Sequence, residues 1–576
     1  MATKPYKDFS PDWYIDEAPP RSYRSIFKWG DPKAYKIPRE NLYKLVKEIF
    51  GLTDDDFKKR KNLGLEEVNY DIPITLDAKH IKAFEKIVGK DNVSTDNYDR
   101  LSVAYGQTML DLMRLREKIV ENVPNAVLYP ENKDQIVQIV DYCNKHLIPI
   151  YVYGGGSSVT RGVECIKGGI SLDMRRNFNK VIEFNEINQT ITVQAGMMGP
   201  ELERILNNAP QTLKAKQPYS CGHFPQSFEY STVGGWVVTR GAGQNSTYYG
   251  KIEDIVLSQE YATPIGYIKT DNTPRKATGP DIDHIMMGSE GAYGVLTHVT
   301  LRIFKYQPQN RYRFSYMFKN WNDAMNACRE VMQGEFGYPS VFRVSDQEET
   351  QLMMRMYGIS DTPLDTLLKL KGFKEGEKCL LLGFTDGEKK FGKNIAKNIR
   401  KICRRYGAMS LTGIVTRTWE HGRFTDPYLR DNMQDFGIII DTLECAVNWD
   451  NMEQVHLDVR KYCKSRPNTI VTTHISHMYP QGANLYFIFI SPFDNIEEFK
   501  KYHQGILDTI QKSGAAISHH HGIGKLFAPW LEGFMGKEQY GIIAALKKYF
   551  DPNNIMNPGG TLGFDLTEEE KRFMKE

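Results

Sequence analysis

Ile148-Pro-Ile-Tyr-Val-Tyr-Gly-Gly-Gly-Ser-Ser-Val-Thr160 sets three consecutive glycines, Gly154 to Gly156, at the end of a short apolar run. Glycine lets a backbone approach an anion closely and adopt positive φ, and successive bare amides form a nest for phosphate oxygens. The stretch therefore reads as a strand feeding a nucleotide-cofactor loop. An ordinary glycine-rich turn fits the same letters, because the spacing is neither Gly-x-Gly-x-x-Gly nor the Walker pattern. Upstream, Ile136, Ile139, Val140 and Cys143 recur at i, i+3, i+4 and i+7, the period of one helical face, and Pro149 restarts the chain as a strand. Helix, strand and glycine loop in that order bring the loop to a strand end, where it can face a ligand.

Working outward, short apolar runs at Ile170 to Leu172, Lys180 to Phe184 and Thr190 to Ala195 alternate with polar turns, as strands do. We expect a sheet-based domain over 121–310, closing at the glycine-punctuated turn Gly288-Ser-Glu-Gly291 and the strand after it. A helical extension is expected over 1–120, with helical periodicity near Leu42 to Phe50 and from Asp111 to Glu121. A second α/β domain is expected over 311–515, with a helix from Trp321 to Met332 and a strand from Leu485 to Ser491. A C-terminal segment, 516–576, carries a helix from Gly536 to Phe550. No internal repeat or low-complexity linker interrupts the chain.

At 576 residues the chain exceeds what one hydrophobic core supports. The 41% hydrophobic and 25% charged composition is that of a soluble globular protein, and no apolar run approaches the ~20 residues a membrane span needs. With 74 basic against 71 acidic residues, the +3 balance gives no argument for nucleic acid. The eight cysteines form no Cys-x-x-Cys pair, which speaks against a zinc ribbon or an iron–sulfur centre. Met1 to Ser10 shows no apolar signal core and the chain ends Phe573-Met-Lys-Glu576, so the cytoplasm is the expected location.

Four segments, Tyr153-Gly-Gly-Gly-Ser-Ser-Val-Thr160, Ser231-Thr-Val-Gly-Gly-Trp236, Gly288-Ser-Glu-Gly291 and Phe550-Asp-Pro-Asn-Asn-Ile-Met-Asn-Pro-Gly559, together resemble the FAD-binding fold of the vanillyl-alcohol oxidase and p-cresol methylhydroxylase superfamily. Ser518-His-His-His-Gly-Ile-Gly-Lys525 further resembles the alkyldihydroxyacetonephosphate synthases, and the likeness runs from about residue 100 to 565. The resemblance implies an α+β fold: a two-subdomain FAD-binding domain plus an α/β cap with an antiparallel sheet. It implies FAD lying extended, with contacts from Tyr153, Gly154, Gly155, Gly156, Ser157, Ser158, Gln226, Ser231, Thr232, Gly234, Gly235, Gly288, Ser289, Glu290, Gly291 and Asn557. Some relatives attach FAD through a histidine where this chain has Ser157, so the cofactor should be non-covalent.

The resemblance also implies a reaction. Tyr486 matches a tyrosine that takes a proton from the substrate carbon beside a ketone, and Arg343 and Arg430 match arginines that hold a phosphate. His223 and His519, His520 and His521 would handle protons. Acyl chain would leave and fatty alcohol enter while the flavin holds the three-carbon unit, with no net redox change. A phenol with pKa near ~10 is a poor base unless cations or hydrogen bonds lower it, and the histidines are expected to do so. Without the family context, a histidine triplet reads equally as a metal tract or a surface run, and a lone arginine as a salt bridge.

Metal-dependent 2-hydroxyacid dehydrogenases of the superfamily are the competing reading. Their Gly-Asp-Gly-Asn-x-His and Glu-His-Gly-x-Gly stretches stand here as Gln481-Gly-Ala-Asn-Leu-Tyr486 and His519-His-His-Gly-Ile-Gly524, so Tyr486 and His520 replace two metal ligands. No metal is therefore assigned, although His474, His477 and the triplet leave imidazoles from which another site could assemble. Gln226 stands where the eukaryotic synthases carry an aspartate, and Arg161 replaces a common glycine after the loop; both suit a prokaryotic branch whose substrate differs. An FAD-linked oxidase or dehydrogenase of a 2-hydroxyacid or small alcohol, or a flavin subunit passing electrons to a partner chain, stays open. A small-molecule or lipid phosphate substrate, a homodimer and peripheral membrane contact complete the expectations.

Overall fold

The computed structural model describes residues 17–31, 40–59, 61–360, 362–493, 495–559 and 563–566. The readings made on Met1 to Ser10 and on the last four residues lie outside them. Three principal sheets organise the chain. In the first, Ile150–Tyr153 and Ala126–Leu128 flank Ile170–Asp173 in parallel, and Val93–Ser94 adds an antiparallel edge. The helix Lys133–His146 makes the crossover, burying Ile136, Ile139, Val140 and Cys143. It ends where Leu147 turns left-handed (φ 55°), so the strand to the glycine loop begins three residues later.

The second sheet is antiparallel, in the order Val181–Asn185, Thr190–Gln194, Val295–Arg302, Val256–Thr263, Gly266–Lys269. The third has seven antiparallel strands: Met409–Ser410, Tyr312–Phe318, Cys379–Thr385, Val341–Ser345, Ile470–Ile475, Gly482–Pro492 and Ile438–Asn448. This is the α+β architecture expected, with the antiparallel sheet in the second half of the chain. On one face of the seven-stranded sheet, Phe342, Val344, Leu443, Cys445, Leu485, Phe487 and Phe489 join the core formed with helices Trp321–Met332, Lys389–Arg405, Met452–Lys464 and Ile496–Lys512. Side chains alternate along a strand, so Arg343, Thr442, Glu444, Asn484 and Tyr486 fall on the opposite face.

The helical reading near Asp111 to Glu121 is shorter than expected: the helix is Met109–Arg116, and Lys118 at φ 58° breaks it. The early helices are not peripheral. Arg24 and Arg116 both bond Asp435, at 2.7–2.9 Å and 2.7 Å, all three buried. A carboxylate shared by two guanidinium groups is tolerated in the interior because each charge is hydrogen-bonded. This clasp anchors the end of helix Asp426–Gln434, which carries Arg430.

Candidate active site

The glycine loop sits where a diphosphate can be held. Among the described residues, no protein group accepts a hydrogen bond from the backbone N–H groups of Gly155, Gly156, Ser157 and Ser158. Donors that face no protein acceptor require water or an anion, and four in succession suit phosphate oxygens. The loop is pressed against the segment 230–232: a Cβ at Gly155 would lie 2.1 Å from the Tyr230 carbonyl oxygen, and one at Gly154 2.5 Å from Thr232 Oγ1. Thr232 caps helix Val233–Val238 by accepting from Gly235 N–H, and Ser231 Oγ accepts from Trp236 Nε1 at 2.7 Å. The expected flavin contacts at Tyr153–Ser158 and Ser231–Gly235 are thus adjacent in space.

The turn Gly288–Gly291 meets the same wall through Glu290 N–H to Val238 O at 2.9 Å. The Glu290 carboxylate also accepts from Ile523 N–H at 2.7 Å and Gly524 N–H at 2.8 Å, tying this turn to the segment after the histidine triplet. Asn557 is a strut. Its Nδ2 donates to Glu290 O at 2.7 Å and its Oδ1 accepts from Lys525 Nζ at 3.0 Å. Burial lowers the Lys525 ammonium to about 8, against the pull of Glu164.

Across the seven-stranded sheet the register lines up a row of polar residues. His474 pairs with Tyr486, and Tyr486 pairs with Glu444. His474 stacks on Tyr486 (ring centroids 4.8 Å, 18° between planes), and its Nδ1 lies 2.9 Å from Glu349 Oε2. Arg343 Nη2 and Ser345 Oγ donate to the other oxygen of Glu349 at 2.6 and 2.9 Å. His474 and Arg343 together hold the Glu349 carboxyl well below the carboxylate range, overcoming its burial. Arg343 is therefore committed to Glu349, and reaches Tyr486 only through this chain of contacts.

Glu444 organises the triplet. Its carboxylate, on a residue only 1% exposed, accepts from Ser518 Oγ at 2.9 Å and from the backbone N–H groups of His519, His520 and His521 at 2.7–3.1 Å. The chain at 518–521 is wrapped round one carboxylate, and the imidazoles are thrown outward. The His520 and His521 rings lie 6.0 and 5.7 Å from Tyr486. His519 approaches His520 Nδ1 to Nδ1 at 3.0 Å, and Tyr479 hydroxyl lies 3.0 Å from His519 Nε2. Burial holds His519 and His520 well below the usual imidazole range, with neighbouring imidazoles and Lys251 adding to the effect. His521 is lowered too, chiefly by burial, with Glu444 opposing. All three are neutral at pH 7.

Tyr486 differs from the sequence expectation. Its hydroxyl donates to Thr442 Oγ1 at 3.1 Å, and burial pushes the phenol up to about 12. The histidines do not lower it because, being neutral, they contribute no positive field; Arg430 does oppose the rise, and is outweighed by burial. Arg430 itself donates to Gln107 O at 2.8 Å, and among the described residues its Nε has no partner. His223 is buried against Trp236, centroids 4.7 Å apart; among the described residues neither ring nitrogen has a protein partner, and burial lowers it to about 3. Gln226 is spent on the protein, donating to Arg423 O at 2.5 Å and accepting from Gln244 at 2.7 Å.

Sequence reasoning missed Glu444, Glu349, Thr442 and Asp441. Asp441, Thr442 and Glu444 lie in strand Ile438–Asn448 and Glu349 in helix Gln347–Met356; single polar residues in such elements carry no motif, and only the tertiary packing reveals what they face. Asp441 lines a cavity with Lys500, His503, Gln504 and His521, and burial raises its carboxyl to about 6, with Arg430 opposing. The folded protein thus keeps this proton to about pH 6, while the unfolded chain releases it near 3.8. Stability falls as pH rises through that window and stays lower above it. Asp441→Asn is expected to melt higher than wild type at pH 8, by about 3 kcal/mol at most for a shift of this size, and to match it at pH 4. Equal melting curves at pH 8 would refute the assignment.

An amide cradle for a diphosphate, followed by a sheet that presents a phenol and imidazoles, is compatible with a nucleotide-cofactor enzyme, and the domain matches make it an FAD-dependent enzyme of the p-cresol methylhydroxylase type. Residues 124–272 match the FAD binding domain, and residues 307–561 match the C-terminal domain of FAD linked oxidases. The alkyldihydroxyacetonephosphate synthase of Caenorhabditis elegans is 30% identical over 487 residues, 79% of each chain. That of Dictyostelium discoideum is 29% identical over 554 residues, 92% of this chain and 88% of the relative. A solved alkyldihydroxyacetonephosphate synthase superposes with TM-score 0.76 at 26% identity, covering 92% of this chain and 98% of its own. The chain belongs to the alkyldihydroxyacetonephosphate synthase family. Among the described residues, no helix is long and apolar enough to cross a membrane.

Proposed function

We propose that this enzyme replaces the acyl chain of an acyl-dihydroxyacetone phosphate with a fatty alcohol, forming an ether bond without net redox change. The observation that carries this reading is Tyr486, set in the midst of His474, His520 and His521 with its hydroxyl held by Thr442. A phenol among neutral imidazoles is equipped to move protons, and a serine at 157 leaves FAD non-covalent.

FAD, when bound, would be held at its diphosphate by the amides of Gly155 to Ser158 and would supply an electron-accepting ring system. The chain does the rest. Tyr486, protonated at neutral pH, takes the proton from the substrate carbon beside the ketone as it gives its own hydroxyl proton to an unprotonated imidazole beside it, His520 or His521, which later returns that proton. Arg430, with Nε free of protein partners, offers a planar donor to the phosphate or the developing oxyanion. Arg343 acts at one remove, orienting His474 through Glu349. His223, buried and without protein partners, takes its hydrogen bond from cofactor or substrate. A lipid phosphate drawn from a membrane surface fits this reading, as does a homodimer, the latter by analogy alone.

The test is anaerobic. Flavin-loaded protein is mixed with palmitoyl-dihydroxyacetone phosphate and hexadecanol, the flavin spectrum is followed and product is sought by mass spectrometry; D-lactate, glycolate and 2-hydroxyglutarate are offered in parallel. Ether product with free palmitate and no lasting bleaching is expected. Bleaching by a hydroxyacid with no ether product would sink the proposal in favour of an FAD-linked dehydrogenase.

A further inference from the structure

We infer that the turn Gly106-Gln107, ahead of helix Met109–Arg116, is a positioning element that ties the diphosphate loop to Arg430, so that cofactor and substrate phosphate are gripped by one frame. This deepens the proposed function and rests on Arg430 as donor to the substrate phosphate. One residue makes both contacts: Gln107 N–H donates to Ser158 O at 2.7 Å, and Gln107 O accepts from Arg430 Nη2 at 2.8 Å. Ser158 closes the run of amides that face no protein acceptor among the described residues. The approach is close because residue 106 is glycine. A Cβ there would stand 2.5 Å from the Ser158 carbonyl oxygen, and a backbone acceptor cannot rotate out of the way.

The turn is braced on both sides. Gly106 N–H donates to Asp111 Oδ2 at 3.3 Å, Thr108 Oγ1 caps the helix by accepting from Asp111 N–H at 2.9 Å, and Asp111 Oδ1 accepts from Arg114 Nη2 at 2.8 Å. Arg114 in turn donates to the buried Glu164 at 3.3 Å, and Glu164 also pairs with Arg161, which follows the loop in the left-handed region at φ 59°. One helix thus fixes the loop at Ser158 directly and at Arg161 through Glu164. At its other end Arg116 donates to Asp431 O at 2.9 Å and to Asp435 Oδ1 at 2.7 Å, gripping the end of the helix that carries Arg430. Every residue of Met109–Arg116 is buried, and a close-packed interior transmits a displacement instead of absorbing it. Moving the turn by the better part of an ångström should therefore misplace loop and arginine together, an error of orientation large enough to weaken both grips.

Binding, not turnover, is the readout. FAD dissociation is followed by flavin fluorescence, and dihydroxyacetone phosphate is titrated by calorimetry into FAD-saturated protein. Gly106→Ala is expected to raise both dissociation constants at least fivefold, whereas Arg430→Met should raise only that of the phosphate. Gly541→Ala, where a Cβ meets nothing within 4 Å, should leave both as in wild type. Hydrogen exchange of the wild-type holoprotein gives a second measurement should Gly106→Ala fail to fold: dihydroxyacetone phosphate should slow exchange in segment 104–109 at least threefold, and Arg430→Met should abolish the slowing. A folded Gly106→Ala protein that keeps wild-type affinity for either ligand, or wild-type binding that leaves exchange in 104–109 unchanged, would overturn the inference alone. A wild-type holoprotein that binds no dihydroxyacetone phosphate, or Arg430→Met binding it as tightly as wild type, would instead remove the phosphate reading of Arg430 and the inference with it.

Discussion

Tyr486→Phe is expected to lower the rate of alkyl exchange by about 10²–10⁴-fold, the usual contribution of a positioned acid–base group, while the protein stays folded and yellow. The substitution removes one oxygen. That oxygen makes a single protein hydrogen bond, to Thr442 Oγ1, whereas the ring is held by its stack on His474 and its contacts with His520 and His521. Losing one neutral hydrogen bond costs about 1 kcal/mol, too little to unfold the domain. The loss should therefore fall on kcat with KM nearly unchanged, since the phenol contributes to the proton transfer and the phosphate is held elsewhere. Arg430→Met supplies the contrast: it should raise KM for the phosphate substrate. A Tyr486→Phe enzyme that keeps a tenth of wild-type turnover would remove the phenol from the mechanism.

The sequence carried the cofactor half of the site in readable form because a phosphate nest is local. Strand, three glycines and two serines lie within eleven residues, and among the described residues no protein group accepts from the amides of residues 155–158. The helix Trp321–Met332 and the strand around Tyr486 were legible for the same reason, their periods being written in consecutive residues. The support of the chemical half was not. Glu444 meets the triplet 75 residues away, Glu349 meets His474 across 125, and Asp435 gathers arginines from 24 and 116. A carboxylate in a strand (Glu444), in a helix (Glu349) or at a helix end (Asp435) looks alike in sequence whether it faces water or a ring of N–H donors, so only the tertiary packing distinguishes the two. Tyr486 shows the same limit in electrostatics: the neighbours were foreseen, but their neutrality follows from burial, which residue types do not state.

Glu444→Ala is the substitution expected to cost the most stability in the site. Four donors, Ser518 Oγ and three successive backbone N–H groups, converge on this one buried carboxylate. Hydrogen bonds to a charged acceptor are worth about 1.5–3 kcal/mol each, and buried donors left unpaired cost about 1–3 kcal/mol apiece. These terms are not additive, because the loop can relax and admit water. A net loss of about 3–5 kcal/mol, the scale for breaking a buried charged network, is the expected outcome, read as an earlier thermal transition. Glu444→Gln keeps the shape but presents an amide NH2 to donors that need an acceptor, so it should recover only part of the stability. Because the carboxylate sets the backbone from which all three imidazoles project, both variants should lose exchange activity. The distinguishing readout is the visible circular dichroism of the bound flavin, which should change in Glu444→Gln and remain as wild type in Tyr486→Phe. A Glu444→Ala protein that melts and turns over like wild type would show that the triplet holds its geometry without this anchor.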